Sequence, residues 1–122
     1  NDETLFSFVV PNLLKSDLQN LKSIFIDSLI RTMIFEDLEE YAEAVTLSFE
    51  KNLCFTRSSN RSILGSMSDM KCIIEHYIHI KGGLEKINPL ELNKRLNHTP
   101  YRATQFVYPL ESLINKLKER AQ

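Results

Sequence analysis

AVTLSFEKNLCFTR, residues 44–57, is the stretch whose reading decides the fold class. Val45, Leu47 and Phe49 alternate with Thr46 and Ser48, the two-residue period of a strand. Lys51-Asn52 supplies a turn, and Leu53 and Phe55 continue the alternation on a return strand. The segment therefore predicts a β-hairpin. A third strand is predicted at TLFSFVV, Thr4–Val10, which is rich in aromatic and β-branched residues and is stopped by Pro11. Both faces of that strand are apolar, so it calls for a neighbour on each side. Asn1-Asp2 ahead of it is turn chemistry and suits a hairpin whose other strand is missing.

Helical signals fill the rest. Ser16 and Gln19 form a capping-box pair, and Leu18, Leu21, Phe25, Leu29 and Met33 then recur at helical spacing, predicting a helix over about 16–35. A short acidic helix over about 36–42 follows. A long helix over 61–81 carries Ile63, Met67, Met70, Ile74 and Tyr77 on one face and ends at Gly82-Gly83, where glycine takes the left-handed cap without Cβ strain. NPLELNKRLN, 88–97, has Asn88 as cap, Pro89 preset for the first turn and Glu91 closing a second capping box. YRATQFVYP is expected to be extended, and Pro109 opens a final helix with Leu110, Leu113, Ile114 and Leu117. The expected fold is α+β: a small antiparallel sheet of about three strands packed against two long helices, with additional short helices, in a single domain over 1–122.

Composition bounds the function. A chain of 122 residues with 43% apolar and 25% charged residues can bury roughly two-thirds of its unfolded surface without metal or disulfide staples. Cys54 and Cys72 have no metal or redox spacing and read as free thiols of a reducing compartment, although a bridge between them is not excluded. The net charge of −1 opposes a strong general attraction to nucleic acid. It is unevenly spread: residues 1–55 hold ten acids and four bases, residues 56–122 six acids and eleven bases. The longest uncharged run, TLFSFVVPNLL, is far short of the ~20 residues of a membrane span and is interrupted by Pro11-Asn12. Asn1-Asp2-Glu3 has the wrong sign for a secretory leader, so a cytoplasmic location is expected.

The candidate chemistry centres on SSNRSILGSMSDM, 58–70. Asn60 or Ser62 can cap the helix. The amides at its start can hold phosphate or carboxylate, with Arg57 and Arg61 completing the cradle. Ser62 and Ser66 lie four apart, and Ser66 and Asp69 three apart, so these share a face. The anion-site candidates are therefore Arg57, Asn60, Arg61, Ser62, Ser66 and Asp69. A plainer reading has the serines capping, Gly65 allowing close packing against the sheet, and Arg61 paired with an acid.

Other chemistry is thin. Cys72, His76 and His79 share one stripe, but a single straight helix rarely gives three ligands to one ion, and no metal or cofactor is expected. LGSMS lacks the second glycine of a nucleophile elbow, and no catalytic residue is assigned. Lys94, Arg95, His98, Tyr101 and Arg102 form a small patch that gives nucleic acid a weak case.

ETLFSFVVP, NRSILGSMSDM, GGLEKINPLELNKRLNHTP and YPLESL occur here in the order and spacing of a family of small uncharacterised bacterial proteins, a domain of unknown function. The chain resembles that family over nearly its whole length. The most specific stretch is similar to the family's N-R-S-x-L-G-S-M-N-D pattern, in which x is aliphatic, matched at Asn60, Arg61, Ser62, Ile63, Leu64, Gly65, Ser66, Met67 and Asp69, with Ser68 in place of the usual asparagine. The resemblance implies an accessory protein of plasmids, phages or integron cassettes, and a further N-terminal strand pairing with 4–10. The function expected is a non-enzymatic binding or interaction module, presenting the 57–69 segment and the basic residues of 94–102. It would form a homodimer through strand 4–10 or the missing strand. The alternative is an enzyme on a phosphorylated or nucleic-acid substrate, with Arg61 as clamp and Ser62 or Asp69 near the chemistry. A concave pocket joining Arg61, Ser62 and a titratable partner would mark the enzyme; a flat patch or two-fold interface would mark the module.

Overall fold

The computed structural model describes residues 3–52 and 60–121. All regular structure among them is helical: α1 (Leu21–Phe35), α2 (Glu39–Asn52), α3 (Arg61–Lys81), α4 (Pro89–Asn97) and α5 (Pro109–Ala121), with 3-10 turns at Lys15–Asn20, Leu84–Lys86 and Arg102–Thr104. The α+β expectation is thus overturned. No strand and no sheet occur among the described residues. The chain forms two compact units, one of Asn1–Val9 with Arg57–Gln122, the other of Val10–Thr56.

In the Val10–Thr56 unit the predicted hairpin is replaced by α2. Alternation over only Val45–Phe49 is too short to separate a period of 2 from one of 3.6. Upstream, Glu39, Glu40, Ala42, Glu43 and Ala44 are strong helix formers, and two acids in the first turn suit the helix dipole. Once nucleated there, the helix propagates through the ambiguous residues. Tyr41, Ala42, Val45 and Thr46 are half-buried on one helical face, whereas Leu47 points outward. The return strand, Leu53–Phe55, lies outside the described residues. Helix 16–35 divides into a 3-10 turn and α1. The turn is closed by Asp17, whose Oδ2 accepts from Leu14 N at 2.8 Å, rather than by a Ser16–Gln19 box. Asp37 takes a left-handed φ of 60°, and Leu38 N returns to Met33 O at 2.8 Å, reversing the chain from α1 into α2.

In the other unit the core is Leu5, Ile63, Met70, Tyr77, Leu92, Leu96 and Tyr101. From α3 it takes Ile63, Met70 and Tyr77, while Met67, expected inside, is exposed. Gly82, at φ 88°, ends α3, and Gly83 N donates to Ile78 O at 3.0 Å. Asn88 caps α4 by accepting from Leu90 N at 3.0 Å. The residues after Tyr101, expected to be extended, instead make a 3-10 turn followed by left-handed Gln105 and Phe106.

Thr4–Val10, expected to be an interior strand, makes no ladder. Three of its backbone groups are taken by side chains of α4. Ser7 N donates to Asn97 Oδ1 at 2.8 Å and Asn97 Nδ2 donates to Ser7 O at 2.7 Å. Val9 N donates to Asn93 Oδ1 at 2.7 Å. Two asparagines one helical turn apart span about 6 Å of axis, close to the ~6.6 Å between alternate residues of extended chain. A helix can therefore complete the hydrogen bonding that a neighbouring strand would have supplied. Leu5 adopts a left-handed φ of 58° and sits in the core.

Candidate functional site

One cavity of about 510 Å3 is lined by Arg61, Ser62, Gly65, Ser66, Asp69 and Arg102. Five of these belong to α3. Arg61, Gly65 and Asp69 recur every fourth residue and make one stripe, with Ser62 and Ser66 beside it. Arg102 comes from the 3-10 turn at Arg102–Thr104. That turn is fixed against the middle of α3, because Ala103 N donates to the buried Ser66 Oγ at 3.3 Å. The preceding residue, Tyr101, is locked in the core and donates its hydroxyl to Leu96 O at 3.0 Å. Burial holds its phenol above the usual tyrosine range; a hydrogen bond from Thr99 opposes this and the charge of Asp69 adds to it.

The structure thus gathers four of the six sequence candidates, Arg61, Ser62, Ser66 and Asp69, around one cavity. Asn60 has a different task. Its Oδ1 accepts from Ser62 N at 2.9 Å and Ile63 N at 3.1 Å, and its carbonyl accepts from Leu64 N at 3.0 Å. Those amides are used by the cap, so the cradle of free helix-start amides expected from the sequence does not form. Arg57 lies outside the described residues.

The charged groups are less engaged. Among the described residues Arg61 and Arg102 make no ion pair, contrary to the plainer reading in which Arg61 is held by an acid. Gly65 also departs from expectation. A Cβ built on it meets nothing within 4 Å, so the glycine serves no close packing in this chain. Its bare backbone opens onto the cavity instead. Sequence reasoning had placed Arg102 in a separate basic patch; nothing in the local pattern reveals that a turn 36 residues beyond Ser66 folds back beside it.

Elsewhere the candidates disperse. Cys72, His76 and His79 are exposed, and no group of three or more metal-ligating side chains occurs among the described residues. Tyr101 is buried, so the exposed ring of the 94–102 patch is that of His98, 6.4 Å from the ring of Tyr108. Among the described residues no helix is long and apolar enough to cross a membrane.

Comparison with curated proteins and with solved structures finds no match. The family models do give one, over residues 1–112, and on that match the chain belongs to the family described as a domain of unknown function, DUF6933.

Proposed function

We propose that this protein is a binding module that takes a small anionic ligand between Arg61 and Arg102. One observation carries the reading: two guanidiniums from separate elements, both unpaired among the described residues, line a single cavity of about 510 Å3. Guanidinium is donor-only and its planar fork matches phosphate and carboxylate oxygens. The volume lies within the ~300–1,000 Å3 usual for small-molecule sites. Selectivity for anions comes here from side chains, since the helix-start amides are capped.

The test is calorimetric titration with inorganic phosphate and with an organic phosphate, on the wild-type chain and on Arg61→Ala and Arg102→Ala. Binding that weakens about tenfold or more in either variant supports the reading, given the usual strength of hydrogen bonds to charged groups. No binding of either probe to the wild-type chain overturns it.

A second reading rests on the cavity's concavity, the feature tied above to an enzyme. With Arg61, Ser62 and Asp69 on one wall, Arg61 would clamp a phosphorylated substrate and Asp69 would serve as the base. Turnover of phosphomonoesters that disappears in Asp69→Asn would favour it.

A further inference from the structure

The stripe Arg61–Gly65–Asp69 has a polarity that narrows the ligand. At 1.5 Å per residue, Arg61 and Asp69 start about 12 Å apart along α3. One end carries a guanidinium, the other a carboxylate, and the midpoint has no side chain. The bond from Ala103 N to Ser66 Oγ sets the neighbouring turn beside the middle of that stripe, and Arg102 of the turn lines the same cavity. The floor is therefore a trough with Arg61 toward one end and Asp69 toward the other, Arg102 on the facing turn, and Ser62 and Ser66 beside the stripe.

A free inorganic oxyanion is only a few ångströms across. Held between the arginines, it leaves Asp69, an acceptor-only carboxylate, to be met by donors from a longer ligand. From this we infer that the ligand is an organic oxyanion that also carries hydrogen-bond donors, of the sugar-phosphate type. The phosphate lies between Arg61 and Arg102, the carbon skeleton over Gly65, and hydroxyl groups donate to Asp69. The glycine has a purpose on this arrangement. A side chain there would occupy the space of the skeleton, and glycine at this exposed helical position costs about a factor of five in helix stability relative to alanine. The inference rests on the anion reading proposed above.

The experiment compares inorganic phosphate, ribose 5-phosphate and free ribose by calorimetric titration at one ionic strength, on the wild-type chain, Asp69→Ala, Gly65→Leu and Arg61→Ala. These positions are exposed, and circular dichroism verifies that each variant keeps its helices. The wild-type chain is expected to bind ribose 5-phosphate about tenfold or more tighter than phosphate. Asp69→Ala removes that preference without weakening phosphate, because it takes a like charge out of the cavity. Gly65→Leu excludes the sugar phosphate more than it weakens phosphate, and Arg61→Ala weakens both. Equal binding of phosphate and ribose 5-phosphate, or a preference that survives in Asp69→Ala, overturns the ligand class and leaves the anion site standing. If neither phosphate compound binds, both readings fall together.

Discussion

Replacing Asn97 by alanine removes a two-point polar contact to the main chain. Asn97 is fully buried, and its amide holds both the N–H and the carbonyl of Ser7, at 2.8 and 2.7 Å. Each such bond contributes a net of about 1 kcal/mol, and a buried main-chain group left without a partner costs about 1–3 kcal/mol. The stranding penalty replaces the bond value rather than adding to it, and Ser7 is half-buried, so two groups near the lower part of that range give a destabilisation of about 3 kcal/mol, unless segment 4–9 lifts away to rehydrate. Lifting would expose Leu5 and Phe6, both buried, and would cost about as much in apolar burial. The two routes converge on the same magnitude, which is a sizeable share of the ~5–15 kcal/mol typical of a folded domain. Urea unfolding followed by circular dichroism reads the loss, and hydrogen exchange at Ser7 and Val9 localises it. Asn97→Asp should be as damaging near neutral pH, because it loses the donor and places a carboxylate against a carbonyl oxygen. A loss under about 0.5 kcal/mol with unchanged exchange at Ser7 would refute the clamp.

Three further outcomes are expected. Gly65→Ala should stabilise the protein by about 1 kcal/mol, since its Cβ enters open space, whereas Gly82→Ala should cost about as much at its φ of 88°; paired thermal melts decide the signs. Asn60→Ala should cost about 1 kcal/mol by uncapping Ser62 and Ile63, read in urea, and no loss would mean that the cap is dispensable. Tyr101 has a phenol raised above its usual 10.0 chiefly by burial. Above about pH 10 the unfolded chain loses this proton before the folded chain does, so stability should fall as pH rises through the folded value. Tyr101→Phe should flatten that alkaline decline, and an unchanged profile in the variant would contradict the assignment.

Part of the candidate site was legible because it is local. Arg61, Ser62, Ser66 and Asp69 lie within one helix whose limits are written in Asn60 and Gly82, and 3.6 residues per turn fixes their shared side. Arg102 was not legible as a partner, because its approach depends on Ala103 meeting Ser66 across the fold. The expectation of open amides failed for a related reason: the residue that marks a helix start also consumes what the start would offer.

The sequence by itself determined α3 and α4 closely, through caps and glycine stops that act over a few residues and need no tertiary partner. It did not determine the fold class. Val45–Phe49 and Thr4–Val10 fit a strand as short patterns, and a strand exists only if its N–H and C=O groups find another strand. In the structure the first joins α2, whose bonds run within the helix. The second leans on Asn93 and Asn97, so side chains a long way along the chain supply the partners that a sheet would have given. Hydrogen-bond demand is written in each residue, and its satisfaction is settled only when the chain has folded.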